Sequence, residues 1–279
     1  MKTQPILGKQ IEDIDISKPL YTQQKKQIEE ALYTHKVIVF KNQKLNDQTQ
    51  KNFLFHFGEP FVMNHDTPTL GSDSTNDCLI VVGNQASEYK NPYLGFQEVL
   101  PHSDHQWLEK PSSISALHAI EIQEKSSPTI WYDMQTAYEL LDEKIKIEIQ
   151  NIKIITYNPF YRPFGSVSSK YVNRELDIPP GEINPHPLVR THPVTGKKIL
   201  YMNLAYEIEF ENIDYSRGIE LYKTLQNHIN SLTNIYTHNW EVGDVVVWDN
   251  RATIHYRPHF NEKIKRVLKR VSLSGEKPY

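Results

Sequence analysis

Apolar residues in this chain follow two rhythms. Near the N-terminus, YTQQKKQIEEALYTH (21–35) sets Ile28, Ala31 and Leu32 at helical spacing, with Thr22 as the expected N-cap. KVIVF (36–40) interrupts this with a run rich in β-branched residues, the pattern of a short buried strand. NDQTQKNFLFHFGEP (46–60) returns to helical spacing and stops around Gly58 and Pro60. From Cys78 onward strands dominate: CLIVV, the region around HSDHQW (102–107), then SISALHAIEI (113–122). TAYELLDEKIKIEIQNI (136–152) and RGIELYKTLQNHINSL (217–232) each read as a helix. THPVTGKKILYMN (191–203) reads as a hairpin turning at Thr195-Gly196. GDVVVWDN (243–250) and KRVLKRVSL (265–273) are the closing strands.

Between the two central helices, residues 158–187 hold many Pro, Gly, Ser and Asn residues with little periodicity. Long loops in compact domains are often functional, so this segment is a candidate lid, with Phe160, Tyr161 and Phe164 able to close over a pocket or simply pack beneath it. Strands thus form the core, with helices before and between them. That order predicts an α+β fold on a β-sandwich or barrel, not a βαβ array. The whole chain, 1–279, reads as one domain with an insert around 158–187.

Composition narrows the class. The chain has 279 residues, 38% hydrophobic and 23% charged, enough to bury a sizeable core. A net charge of -3 gives no cationic surplus for phosphates, which argues against a general nucleic-acid partner. The single cysteine, Cys78, cannot form an internal disulfide, so a reducing compartment is the default. The N-terminus lacks a signal-peptide apolar region, and no run approaches the roughly 18 apolar residues of a membrane span. A soluble, cytoplasmic protein with no membrane partner is expected. Neither GxGxxG nor GxxxxGK[ST] occurs.

The candidate chemistry begins at LPHSDHQW (100–107). On a strand, His102 and Asp104 would share one face and His105 the other. A third ligand must come from afar, and His255 in WDNRATIHYR is the best candidate. Two His and one carboxylate leave three open positions on an octahedron, the facial triad of non-haem Fe(II) oxygenases. An HxD triplet alone is weak, because with 12 histidines most must be structural. His105, His118, His186 and His228 are read that way, and His192 as a loop or ligand-supporting residue. A second feature strengthens the pattern. Arg266 and Arg270 lie four apart on one strand, hence on one face, with Val267 and Lys269 pointing away. Either that face is solvated, or two cations aimed inward await anions.

Taken together, these segments resemble the taurine dioxygenase family of Fe(II)/2-oxoglutarate-dependent oxygenases, which includes 2,4-dichlorophenoxyacetate dioxygenases. The likeness runs in order through ALYTHKVIVFKNQKLNDQTQKNFLFHFGEP, PHSDHQW, PSSISALHAIEI, TIWYDMQTAYELL, HPLVRTHPVTGKKILYMN and GDVVVWDNRATIHYR. It implies a double-stranded β-helix, or jelly roll, flanked by helices. It implies Fe(II) on His102, Asp104 and His255, and 2-oxoglutarate held by Arg266 with help from Thr129. It also implies that Arg270 clamps the anionic end of the primary substrate and that Tyr206 lines its pocket. Ser126-Ser127-Pro128 replaces the Gly-Gly-Asp that usually precedes the threonine. Where taurine-specific members place a substrate-contacting Asn, Glu98 or a neighbour stands.

The implied reaction uses O2 to turn 2-oxoglutarate into succinate and CO2 while oxidising a C–H bond, by hydroxylation before desaturation or bond cleavage. The expected substrate is a small anion, such as an amino-acid derivative or another carboxylate. A homo-oligomer is compatible with the sequence. A zinc hydrolase on the same three ligands, or a non-catalytic jelly-roll binding protein, are the competing readings. The hydrolase leaves Arg266 and Arg270 without a specific task, and the intact triad with both arginines argues against the binding protein.

Overall fold

A computed structural model describes residues 6–62, 78–84, 93–159 and 182–279. The N-terminal part runs β1 (Lys9–Gln10), α1 (Thr22–His35), β2 (Val37–Phe40) and α2 (Asp47–Leu54). Five strands follow: β3 (Leu79–Asn84), β4 (Tyr93–Leu94), β5 (Val99–His102), β6 (Ser112–Ile122) and β7 (Thr129–Asp133). Two short helices, α3 (Met134–Glu139) and α4 (Glu143–Ile149), lead to β8 (Lys153–Thr156). Then come β9 (His186–Pro187), β10 (Val189–Thr191), β11 (Lys198–Leu200) and β12 (Ile208–Glu211). After α5 (Tyr215–Asn230), the chain ends in β13 (Ile235–His238), β14 (Val245–Asp249), β15 (Thr253–Arg257) and β16 (Arg266–Ser274).

A seven-stranded sheet, ordered β1-β2-β14-β6-β16-β3-β4, forms the larger wall, and a four-stranded sheet, β13-β7-β15-β5, the smaller. Trp131 of the smaller sheet packs with Val39, Leu117, Val246, Trp248 and Leu268 of the larger, so one apolar layer joins the two walls. The larger sheet is covered on its other face as well, where Ile28, Leu32, Phe53 and Leu54 of α1 and α2 meet Ile38, Phe40, Val245 and Val267. Burial on both faces explains why KVIVF is apolar without alternation, since all four residues of β2 are buried. Behind the smaller sheet, α5 buries Leu221, Leu225 and Ile229, spaced four apart, against α3, α4 and the β10–β11 hairpin. Truncating Leu225 there would cost about 2–5 kcal/mol, the usual range for a cavity in a packed core.

Local expectations fare unevenly. Tyr21, not Thr22, caps α1, because the Gln24 side chain reaches back to accept the Tyr21 N–H at 2.9 Å. The helix expected over 136–152 is two helices. Asp133 starts α3 by accepting from the Gln135 and Thr136 amides, and Asp142 starts α4 by accepting from Lys144. Helical periodicity passes through such a break because both pieces bury the same side. The β10–β11 hairpin is antiparallel as expected, with Gly196 in the left-handed region at φ +67°. Of the expected lid over 158–187, residues 160–181 lie outside the described residues.

Candidate functional site

His102 ends β5 directly opposite His255 on β15, with ring centroids 4.2 Å apart. His255 sits within a strand, between Ile254 and Tyr256 of β15. Asp104 arrives differently from the expectation. The strand stops at His102, and Asp104 lies in the turn that follows, so strand alternation does not aim it. A distant amide does. Asn250 Oδ1 accepts the Asp104 N–H at 2.9 Å, while Asn250 Nδ2 donates to the Asp104 carbonyl at 3.0 Å and the Ser112 carbonyl at 2.8 Å. Ser103 Oγ donates to the Asn250 carbonyl at 2.8 Å. His105, at φ +62°, turns back to stack on Phe61 and to meet Ser112 Oγ at 3.0 Å, a buried structural role. One ligand-type atom from each of His102, Asp104 and His255 falls within 4.8 Å of the others.

The protonation states suit a cation. His102 Nδ1 lies 2.8 Å from the Leu100 carbonyl and must donate to it, which leaves Nε2 with a free lone pair. Burial, aided by neighbouring His102, pushes the His255 imidazole down to about 3, so it too is neutral near pH 7. Burial works against the Asp104 carboxylate, but the Arg270 guanidinium, 2.7 Å from Oδ1, outweighs it and holds the group below the ordinary carboxylate range. Asp104 Oδ2 and His255 Nδ1 are buried with no hydrogen-bond partner. Uncompensated buried acceptors are costly, and a divalent first-row metal taking imidazole and carboxylate ligands would satisfy them. The residues fit such an ion.

Arg266 and Arg270 share the inward face of β16 at 1% and 7% exposure, so the solvated-face alternative is overturned. Lys269, between them, turns outward to Asp47. Arg266 donates from Nε to the Ser127 carbonyl and from Nη2 to Thr129 Oγ1, each at 2.9 Å. Trp240 Nε1 also donates to Thr129 Oγ1, at 3.0 Å. Two donors occupy both lone pairs of the hydroxyl, so its own proton remains to be given to an acceptor. Burial, with Arg257 nearby, pulls Arg266 well below its ordinary value, the mark of a cation without an anion. Gly83 permits the close pairing that sets this strand, since a Cβ there would lie 1.8 Å from the Arg266 carbonyl oxygen.

Sequence reasoning missed Arg257. It lies two residues beyond His255, and burial pulls its guanidinium down to about 10. Its spacing from the candidate ligand was the available signal. Together with His102, Thr129, His255, Arg266 and Arg270, it lines one cavity between the sheets. Asn250 was missed too, since nothing in WDN announces a bond to a residue 146 positions away.

The remaining candidates separate. Tyr206 is buried with its ring edge-on to His102 at 5.6 Å and to Trp107 at 5.2 Å. Glu98 is exposed and accepts from the Tyr256 hydroxyl at 2.6 Å, on the face of β15 opposite His255, so it is not brought to the cavity. Phe160 and Phe164 lie outside the described residues. His192 binds Asp249 Oδ2 at 2.7 Å, one residue before Asn250.

Comparison with known proteins agrees with this architecture. Residues 2–272 match the family model described as "Taurine catabolism dioxygenase TauD, TfdA family". An alpha-ketoglutarate-dependent sulfate ester dioxygenase of Pseudomonas putida is 28% identical, over 98% of this chain and 88% of its own. An alpha-ketoglutarate-dependent 2,4-dichlorophenoxyacetate dioxygenase of Cupriavidus pinatubonensis is 25% identical, over 96% of this chain and 94% of its own. The solved structure of a taurine dioxygenase from Burkholderia xenovorans superposes with a TM-score of 0.77 at 24% identity, covering 98% of this chain and 88% of that one. Among the described residues, no helix is long and apolar enough to cross a membrane. The chain belongs to the taurine catabolism dioxygenase TauD, TfdA family: it is a 2-oxoglutarate-dependent dioxygenase on a jelly-roll fold.

Proposed function

We propose that His102, Asp104 and His255 hold Fe(II), that Thr129 and Arg266 receive the distal carboxylate of 2-oxoglutarate, and that the enzyme hydroxylates a C–H bond of a small anion near Arg270. One observation carries this reading: His102 and His255, two of the three clustered ligand-type side chains, line the same cavity as Arg266, which is buried without a carboxylate partner among the described residues. When bound, Fe(II) and 2-oxoglutarate supply the O2-dependent oxidation, with succinate and CO2 as co-products.

The chain's own residues do the rest. The two neutral imidazoles offer lone pairs without having to lose a proton first. Arg270 occupies Asp104 Oδ1 and so fixes the carboxylate with Oδ2 turned free. Arg266 and the Thr129 proton give the distal carboxylate a charge-assisted seat. Val82, Leu117 and Trp248 wall the cavity with apolar surface, which excludes water and strengthens each charge interaction inside. Sulfate ester and phenoxyacetate relatives both act on anions bearing a C–O bond, which supports an anionic substrate oxidised beside oxygen. Hydroxylation at such a carbon yields an unstable product that cleaves.

The test follows 2-oxoglutarate conversion to succinate by Fe(II)-loaded protein across alkyl sulfates, sulfonates, aryloxyacetates and acylated amino acids. At least one of these anions should raise succinate formation above the substrate-free rate, and His102→Ala should abolish it. Turnover that persists in His102→Ala overturns the ligand assignment. A panel in which no anion stimulates turnover overturns the substrate class.

A further inference from the structure

We propose that Arg257 is a second guanidinium for the distal carboxylate of the 2-oxo acid, and that it makes the site selective for a 2-oxo diacid over a 2-oxo monoacid. This rests on the reading of the cavity given above. The placement comes from strand register. β15 pairs with β7 so that His255 faces Trp131 and Tyr256 faces Ile130, the last pair of the ladder, and Arg257 and Thr129 are the next residue on each strand. Thr129 is the residue whose hydroxyl Arg266 already grips. Arg257 therefore flanks the Thr129–Arg266 pair from the neighbouring strand, and all three line the cavity.

The side chain is anchored but not satisfied. Its Nη2 donates to the carbonyls of Leu94, at 2.9 Å, and Gln97, and its guanidinium lies 5.3 Å over the Phe260 ring. At 5% exposure, its Nε and Nη1 have no partner among the described residues. Arg270, by contrast, meets Asp104. The Arg257 and Arg266 guanidiniums are both buried on the same cavity, and each lacks a carboxylate among the described residues. One incoming carboxylate answers both. It presents two oxygens with about four lone-pair sites, enough for the Thr129 O–H, an Arg266 N–H and an orphaned N–H of Arg257. A 2-oxo acid ending in a methyl group would enter the same cavity and leave all of these donors unanswered, the situation in which a polar site discriminates most sharply.

Calorimetric titration of anaerobic, Fe(II)-loaded protein with 2-oxoglutarate and with 2-oxovalerate, which has the same chain length but no distal carboxylate, tests the assignment. Arg257→Gln should weaken 2-oxoglutarate roughly 30-fold or more, as removal of one partner from a buried charged hydrogen bond does, while 2-oxovalerate changes less than about threefold. Arg257→Lys, whose cooperative urea unfolding checks that the fold is kept, should recover part of the loss. Equal losses for both acids overturn the inference, as does unchanged 2-oxoglutarate affinity with a raised KM for the primary substrate. A wild type that binds neither acid overturns the co-substrate reading and this inference with it. A wild-type preference that survives Arg257→Gln undiminished overturns the inference alone.

Discussion

Around Asp249, each buried charge meets its opposite. Its carboxylate takes His192 Nε2 at 2.7 Å and Arg251 Nε at 2.9 Å, while Glu276 takes Arg190 at 2.5 Å and lies 3.8 Å from Arg251. Two arginines face two carboxylates there, and among these atoms only Arg190 Nε lacks a partner. Three arginines line the cavity, only Arg270 meets a carboxylate among the described residues, that of Asp104, and orphaned atoms collect on Asp104, His255 and Arg257. Both clusters are buried, so exposure does not tell them apart. Satisfaction does. The first cluster uses charge to tie the C-terminal residues to the hairpin and β14, whereas the second keeps donors and acceptors in reserve for groups that must come from outside. The two meet at consecutive residues, since Asp249 completes one and Asn250 holds the turn of the other.

The contrast can be broken from either side, and the largest effect is expected at Asp104. Asp104→Ala removes the only carboxylate against Arg270 among the described residues and one of three ligand-type side chains; succinate formation should fall more than about 100-fold, beyond the usual cost of losing a residue that merely supports a ligand. Asp249→Asn should instead act on stability, lowering it by about 3–5 kcal/mol in urea, because Arg251 is left buried beside a neutral amide. Arg266→Met should do the opposite, leaving stability unchanged or raised while 2-oxoglutarate binding is lost. If Arg266→Met unfolds as readily as Asp249→Asn, the distinction between the clusters fails.

Acid sharpens the same comparison. Burial pushes the Asp249 carboxyl up, but Arg251 and His192 outweigh it and hold the group below the ordinary range. A folded-state value lower than the unfolded one gives stability that is fully present above the unfolded value, about 3.9, and lost as pH falls below it. The gap in urea stability between wild type and Asp249→Asn should therefore be wide at pH 6 and narrower at pH 3. Asn250→Ala should lower metal affinity by about 10- to 100-fold, read by titration with Mn(II), since the Asp104 turn loses both bonds of its amide clamp. The smallest effect is expected at Glu98. Glu98→Gln should shift stability by less than about 0.5 kcal/mol and leave turnover unchanged, because its only described bond is an exposed one to Tyr256.

Much of this was legible in the sequence. KVIVF and KRVLKRVSL announced buried strands, and the four-residue spacing of Arg266 and Arg270 announced a shared face. His102, Asp104 and His255 were legible as residue types, and the structure gathers them. The reason first given for their meeting was wrong, because a turn rather than a strand carries Asp104. Arg257 was illegible as a cavity neighbour of Thr129 for a related reason. Their juxtaposition depends on the register between β15 and β7, which no local spacing encodes. Glu98 failed in the other direction, since its position in the chain is near the metal motif but its side chain lies on the outer face.

By itself, then, the chain determined its periodicities, its family and the residue types that can bind a metal and anions. Those properties are local, or are carried by motifs in fixed order along the sequence. Only the tertiary structure decided which charges are answered from within and which are left open. That distinction depends on contacts between residues more than a hundred positions apart, such as Asn250 with Asp104 and Arg266 with Thr129, and burial makes each unanswered group costly enough to count.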